Sequence, residues 1–196
     1  MGTGLIIAII VIVLAVWFIS TYNSLIAMRN RVGNGWAQID VLLKQRADLI
    51  PNLVETIKGY AGHENRTLTE VTEARAGAVA AANDRSLTIE QRAAAEERLS
   101  RALLDFNAVA EAYPDLKADR NFLMLQDELT QLEQKIAYAR QFYNDTTMKY
   151  NTRIQQFPTN LVAGMFHFRD AQYYAVEPAA RAVPQVSFGT SEPPRD

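Results

Sequence analysis

The apolar residues of this chain are concentrated at its amino-terminal end and then recur at helical spacing. Residues 5–19 carry no polar side chain, and residues 2–28 carry no charged one. A transmembrane helix needs about 20 mainly apolar residues, so this run spans a bilayer with help from its flanks. Farther along the chain, apolar side chains return every three or four positions. The pattern predicts an all-α fold in which a single transmembrane helix continues into a long antiparallel four-helix bundle with two long and two shorter helices.

The first three helices of the bundle have recognisable boundaries. The first runs from about residue 22 to residue 60 and continues the membrane helix, and the second covers roughly residues 65–82. Thr88 and Gln91 have the spacing of a capping box, so the third helix begins there. It ends before Pro114, because the residue that precedes a proline disfavours helical geometry.

The fourth helix shows the most regular pattern. Apolar positions between residues 122 and 150 alternate in steps of three and four, which is typical of coiled-coil-like bundle packing. This helix runs back along the first, so the chain returns to the bilayer near Phe157. The aromatic segment that follows either touches the membrane or caps the open base of the bundle. The predicted divisions are an anchor at 1–21, a bundle at 22–157, a membrane-proximal aromatic segment at 158–176 and a flexible proline-containing tail at 177–196.

Charges beside the apolar run indicate that it is retained and how it is oriented. A cleaved signal peptide has a basic start and a small-residue cleavage site, and neither is present here. Arg29 and Arg31 closely follow the run and nothing basic precedes it, so the positive-inside rule places the bundle in the cytoplasm and the amino terminus outside. We therefore expect a single-pass protein of the cell membrane, in contact with the lipid bilayer through residues 1–21.

Composition narrows the function classes further. The chain has 196 residues, enough for one domain with a sizeable core. Its net charge of −2 gives no reason to expect a nucleic-acid partner. Because it has no cysteine, disulfides, thiolate metal sites and cysteine nucleophiles are excluded.

A polar helical stretch interrupted by Pro51 is the most unusual feature of the first bundle helix. Proline in a helix interior costs about 3 kcal/mol or more, because it removes a donor and collides with the preceding turn. Asp48, Asn52 and Glu55 fall on one face of this helix. We interpret the stretch as a kinked spine whose polar groups are solvated or satisfy the carbonyl freed by Pro51. The alternative is a protein contact surface.

Candidate chemistry is sparse. The alternative to a structural protein is a metal-dependent or hydrolytic enzyme that uses Asp48, Glu55, His63 and Glu64. Ferritin-like metal sites draw on Glu-x-x-His motifs, and neither His63 nor His167 lies three residues after a glutamate. We therefore expect no enzyme activity, no catalytic residues, no cofactor and no metal.

The bundle topology also predicts which residues face each other between the two long helices. The distal tip brings the region of Tyr60 opposite that of Arg120, so facing residues have numbers that add to about 180. Three complementary pairs follow, namely Asp40 with Arg140, Arg46 with Glu133, and Asn30 with Asn151.

Four stretches carry a resemblance to a known family. They are "GWAQIDVLLKQRADLIPNLVETIKGYAGHE", "YPDLKADRNFLMLQDELTQLEQKIAYARQFYND", "YNTRIQQFPTNLVAG" and "VPQVSF". Together they resemble the LemA family of bacterial membrane proteins over nearly all of the chain. The resemblance implies an anchored helical bundle with no established enzymatic activity or cofactor. It also implies membrane TPM-domain proteins or metallopeptidases as partners, in envelope organisation or protein quality control.

The resemblance and the patterns above mark one set of candidate interaction or structural residues. These are Trp36, Asp40, Arg46, Asp48, Pro51, Asn52, Glu55, His63, Glu64, Glu133, Arg140, Asn144 and Asn151. We expect a membrane-anchored, cytoplasm-facing scaffold or interaction protein of the bacterial envelope that acts through its helix surfaces and forms a homo-oligomer.

Overall fold

The computed structural model describes residues 2–59, 65–110 and 113–174. The described residues are almost entirely helical and contain no strand, so the predicted all-α fold is confirmed. His63, Glu64 and the tail predicted at 177–196 lie outside the described residues. In chain order, the helices are α1 (Gly2–Lys58), α2 (Asn65–Asn83), α3 (Ile89–Ala110), α4 (Pro114–Ala118), α5 (Arg120–Gln155) and α6 (Thr159–Met165).

α1 joins the apolar run to the bundle without a break. It contains 57 residues, and its most apolar window of 18 residues has the length and composition of a membrane span, with none of that window buried. The first buried side chains are those of Thr21 and Leu25. The outer part of α1 is therefore compatible with a membrane anchor, and the packed bundle begins directly beyond it.

α5 packs antiparallel along the bundle part of α1, in the predicted register. Gly35 of α1 is buried, and a β-carbon placed there would lie 3.6 Å from the α-carbon of Tyr143. Trp36 meets the ring of Tyr143 at 5.6 Å between ring centroids. Farther from the membrane, Arg46 bonds to Glu133. Every one of these contacts joins residues whose numbers add to about 180, as bundle topology predicts.

α2 and α3 form a hairpin against the distal half of α1. The capping box predicted for α3 is confirmed: the backbone N–H of Thr88 donates to Oε1 of Gln91 (2.9 Å), and the backbone N–H of Gln91 donates to Oγ1 of Thr88 (3.2 Å). Apolar side chains fill two cores, one beneath the hairpin and one nearer the membrane. The first includes Ile50, Leu53, Val71, Leu99 and Phe106, and the second includes Leu25, Ile39, Ile136, Tyr143 and Tyr150.

The chain beyond α5 caps the base of the bundle. Phe166 packs against Tyr22 at 4.6 Å and against Phe18 at 5.9 Å between ring centroids. The guanidinium of Arg29 lies 5.5 Å from the centroid of the Phe168 ring. Residues 168–174 then turn back along α5 toward the hairpin.

Pro51 lies inside α1, as predicted, and its effect reaches α2. Because proline has no N–H, the carbonyl of Ala47 four residues earlier has no donor from its own helix. Nε of Arg75 on α2 donates to that carbonyl at 2.6 Å. A backbone group that Pro51 frees is thus satisfied by the neighbouring helix, which ties α2 to α1 at this position.

The polar residues around Pro51 do not perform this task. Asp48, Asn52 and Glu55 are exposed. Their exposure agrees with a solvated polar face, and the alternative of a protein contact surface stays a prediction. The interpretation in which these side chains satisfy the freed carbonyl is wrong, because Arg75 has the longer reach and approaches from the packed side of α1.

We predict that Pro51 and Arg75 are energetically coupled. Pro51→Ala restores an N–H that can bond to the Ala47 carbonyl, so its own effect on the free energy of unfolding should be modest, about 1 kcal/mol in either direction. Arg75→Ala should cost about 1–3 kcal/mol when Pro51 is present, because the carbonyl loses its donor, and about 1 kcal/mol less when it is combined with Pro51→Ala. Urea unfolding of the unaltered chain, the two single variants and the double variant measures the coupling, and strictly additive effects would contradict it.

Candidate functional site

A buried cluster of charges joins three helices at mid-height of the bundle. The side chain of Arg46 on α1 is fully buried. Its Nη1 donates to Oε1 of Glu133 on α5 (2.6 Å) and to Oγ of Ser100 on α3 (2.9 Å). Its Nη2 donates to the carboxylate of Glu96 on α3 and, at 3.4 Å, to the Glu96 carbonyl. The side chain of Glu96 is 7% exposed and that of Glu133 is 38% exposed.

Burial and mutual attraction shift the pKa values of Arg46 and Glu96. Burial opposes the charge of Arg46, but the carboxylates of Glu133 and Glu96 together raise the Arg46 pKa above its usual value. Burial also raises the pKa of Glu96, against the attraction of Arg46. Because its guanidinium is enclosed by helices, the cluster is an internal brace that joins α1, α3 and α5.

The predicted pair of Arg46 and Glu133 is confirmed, whereas Glu96 and Ser100 were missed. A signal for Glu96 exists in the sequence. Glu96 lies three residues before Leu99 and seven before Leu103, both of which are buried. A glutamate on the apolar stripe of a helix is rarely buried without a partner, so its position indicates a buried ion pair.

The predicted pair of Asp40 and Arg140 does not form. The guanidinium of Arg140 instead lies 4.7 Å from the ring centroid of Tyr174. The neighbours of Asp40 are instead Arg92 and Trp36. Burial raises the pKa of Asp40, whereas the charge of Arg92 and a hydrogen bond from the Trp36 side chain lower it. The pairing failed because the chain after α6 lies along α5 and occupies the space that Arg140 faces.

Asn144 and Asn151 of α5 bind the backbone of this returning segment. Asn151 donates through Nδ2 to the carbonyl of Ala171 (2.9 Å) and accepts the Ala171 N–H on Oδ1 (2.9 Å). Asn144 binds Tyr174 in the same way. Its Nδ2 donates to the Tyr174 carbonyl (3.2 Å), and its Oδ1 accepts the Tyr174 N–H (2.8 Å). Asn151 therefore bonds to the returning segment and not to Asn30, which is exposed.

Two tyrosines next to the asparagines add a second row of contacts. The hydroxyl of Tyr150 donates to the carbonyl of Arg169 (3.0 Å), and the hydroxyl of Tyr143 donates to the carbonyl of Gln172 (2.7 Å). We call Tyr143, Asn144, Tyr150 and Asn151 the Tyr-Asn ladder. The ladder consists of one dipeptide, Tyr-Asn, repeated seven residues apart on α5.

The spacing of the ladder matches an extended peptide. Seven residues of helix rise about 10.5 Å. Three residues of extended chain cover about 10 Å. The contacts on residues 169 and 172, and those on residues 171 and 174, are each three residues apart. Each repeat of the dipeptide therefore meets the segment in an equivalent position.

The segment turns every third side chain toward the bundle. Phe168 and Ala171 are half-buried and Tyr174 is 4% exposed, whereas the residues between them are exposed. The ring of Tyr174 lies between Arg140 and Trp36, with its centroid 6.1 Å from that of Trp36. Trp36 and Arg140, both candidate residues from the sequence, thus meet at the pocket of one tyrosine.

An apolar groove lies between α1 and α5 on a different face from the ladder. Its volume is about 640 Å³. Val41 is 57% exposed, Tyr138 is 73% exposed and Phe142 is 47% exposed. Large apolar side chains exposed together in this way are typical of an interaction surface. The groove is lined by Ala37, Gln38, Val41, Leu42, Lys135, Tyr138, Ala139 and Phe142.

The residues of the enzyme hypothesis are only partly described. Asp48 and Glu55 are exposed on α1, and His63 and Glu64 lie outside the described residues. Within residues 2–59, 65–110 and 113–174, no group of three or more His, Asp or Glu side chains is arranged to hold a metal ion.

Fold and surfaces together define an all-α protein whose amino-terminal helix is long and apolar enough to cross a membrane. Comparison with known families shows which one it is. Residues 35–188 match the LemA family, so the chain belongs to that family. The expectation drawn from its four motifs is confirmed.

Individual relatives are distant in sequence but similar over most of the chain. Protein LemA of Metamycoplasma hominis is 26% identical over 175 residues, which cover 89% of this chain and 76% of the relative. Magnetosome protein MamQ 2 of Paramagnetospirillum magneticum is 25% identical over 179 residues, which cover 81% of this chain and 66% of that protein. Neither name denotes an enzyme.

We predict that replacing Arg46 lowers the free energy of unfolding far more than replacing its partly exposed partner Glu133. Arg46→Met leaves the buried carboxylate of Glu96 uncompensated and should cost about 3–5 kcal/mol. Glu133→Gln keeps an acceptor at a partly exposed position and should cost about 1 kcal/mol or less. Urea unfolding of the detergent-solubilised chain, followed by circular dichroism, compares the two variants. Equal losses would contradict the brace described here.

Proposed function

We propose that this protein is a membrane-anchored scaffold that self-associates through the outer face of α1. The observation that carries the proposal is an exposed, uncharged stripe that runs along this helix and ends in the apolar groove. Scaffolds act by holding binding surfaces at fixed positions. A single helix that continues from the membrane segment into the bundle is suited to that role, because the two parts cannot hinge at a loop.

The stripe has the spacing of a coiled-coil seam. Its residues alternate in steps of four and three, all are exposed and none is charged. Ala37 and Val41, at its distal end, also line the groove. Toward the membrane the same steps continue through Ser20, Val16 and Val13, which are exposed as well. The stripe consists of Asn23, Ala27, Asn30, Asn34, Ala37 and Val41.

A second copy of this chain is the partner that the stripe fits best. Anchoring in one bilayer makes two copies parallel and places their stripes at the same height. A heptad seam packs against another helix with the same period, and buried asparagines in such a seam set register and oligomer state. Asn23 and Asn30, seven residues apart, then meet their counterparts across the contact.

The capped base of the bundle supports membrane contact at a defined depth. Phe157, Leu161 and Met165 are 80%, 60% and 63% exposed. They lie next to Phe166, which packs on Phe18 at the level where α1 leaves its apolar run. Apolar side chains exposed at this level favour burial in the membrane interface, while the opposite side of α6 caps the bundle.

Orientation and partners complete the proposal. Arg29 and Arg31 follow the span, which favours a cytoplasmic bundle at the cell membrane of a bacterium. TPM-domain membrane proteins or metallopeptidases, implied by the family resemblance, are the partners we propose for the scaffold. The relatives named as magnetosome proteins are consistent with a role at a membrane.

We predict that cysteines in the stripe cross-link two copies. The chain has no cysteine, so single replacements can be read without background. Asn30→Cys should form a disulfide-linked dimer in native membranes under mild oxidation. Met148→Cys is the matched control, because Met148 is exposed at a similar height on α5 but lies outside the stripe. Equal dimer yields from both variants, or none from Asn30→Cys, would refute association through this face.

We also predict that the bundle is protected in intact cells. Leu104 is 69% exposed on α3, far from the membrane, so Leu104→Cys should react freely in purified protein. A membrane-impermeant maleimide should label it only after the inner membrane of spheroplasts is permeabilised. Labelling of intact spheroplasts would place the bundle outside the cytoplasm.

A further inference from the structure

We propose that the Tyr-Asn ladder is a binding site for an extended peptide, which residues 168–174 occupy in cis. The ligand class is a segment of another protein with a small residue followed, three residues later, by an aromatic residue. This inference goes beyond the scaffold role and does not depend on self-association.

Recognition by the ladder is directed at the peptide backbone. An asparagine side chain carries a carbonyl and an NH₂ group, so it can pair with a peptide unit as a neighbouring strand would. Asn144 and Asn151 both pair in this way, each accepting from the N–H and donating to the C=O of a single residue. Main-chain bonds of this kind give affinity in strand-addition complexes, and side-chain pockets give specificity.

Specificity comes from the inward-facing positions of the segment. Tyr174 is buried between Trp36 and Arg140, an arrangement that selects an aromatic ring by ring contact and cation-π attraction. Ala171, held by Asn151 against α5, is only half-buried, and a small residue lets the backbone approach the asparagine. The side chains of Gln172 and Tyr173 are exposed, so they do not contribute to specificity.

Residues 168–174 can leave the ladder without unfolding α5. Residues 168–174 belong to no helix, and α5 keeps its own backbone bonds whether or not the ladder is occupied. Release of the segment would hydrate two amides and two hydroxyls, which water can satisfy. It would also expose the buried rings of Tyr143 and Tyr150, which a competing peptide of the same form would cover again. A short tether gives the cis segment a high effective concentration, so a competing peptide binds well only when the cis contacts are weakened or the competitor is itself held nearby.

The test uses the full-length chain in detergent and a fluorescein-labelled peptide of residues 166–174, FHFRDAQYY. Ala171→Pro removes the N–H that Asn151 accepts and leaves the ladder intact. Fluorescence anisotropy should show that this variant binds the peptide about tenfold more tightly than the unaltered chain does. A peptide with proline at the Ala171 position and a peptide with alanine at the Tyr174 position should bind more weakly.

Ladder substitutions decide whether binding occurs at the proposed site. Asn144→Ala and Asn151→Ala, added to Ala171→Pro, should abolish the anisotropy change. A folded Ala171→Pro chain that does not bind the peptide would overturn the proposal, and so would undiminished binding after the asparagines are removed.

A second variant tests the proposal if the Ala171→Pro chain does not fold. Tyr174→Ala weakens the cis segment from its other end and should also admit the labelled peptide. The Tyr174→Ala chain can be irradiated with excess peptide that carries a benzophenone at the Tyr174 position. Cross-links near Trp36 and Arg140 are expected, and their absence would overturn the proposal.

Discussion

The buried guanidinium of Arg46 is the interaction on which the arrangement of the bundle depends. Its Nη1 and Nη2 donate to Glu96 and Ser100 of α3 and to Glu133 of α5, so one side chain relates three helices to one another. Sliding α5 by one turn, about 5.4 Å, would separate Glu133 from Arg46 and leave a buried charge short of a partner. Apolar packing alone tolerates such shifts far better, because neighbouring heptads resemble each other. The charge cluster therefore selects a single register.

Other features follow once that register is fixed. Trp36 meets Tyr143, and both lie where the returning segment can place Tyr174. α2 is held independently, because the carbonyl that Pro51 frees accepts a bond from Arg75. An unfavourable residue in α1 is thus used to orient a neighbouring helix. These two polar attachments add to the apolar packing that holds the hairpin, in which α2 is rich in alanine.

Sequence reasoning succeeded where structure is periodic and failed where it is not. Long helices, the capping box and the Arg46–Glu133 pair follow from spacing and topology. The partners of Arg140, Asn144 and Asn151 could not be predicted from their residue types, because two of the three bind backbone atoms of an irregular segment. Every residue other than proline offers the same backbone groups, so residue types do not show which backbone units the asparagines bind. The repeat of Tyr-Asn after seven residues was the one sequence feature that indicated a binding site with a regular spacing on α5.

Helix lengths explain why the irregular segment 168–174 packs beside α1 and α5. α5 has 36 residues and α3 has 22, so α5 extends about 20 Å beyond the hairpin toward the membrane. Over that distance one side of the α1–α5 pair would face water with Tyr143 and Tyr150 exposed. Seven extended residues span about 23 Å, which matches the gap. A longer hairpin would have closed the gap permanently. A segment held by side chains closes it with contacts that another peptide of the same form can reproduce.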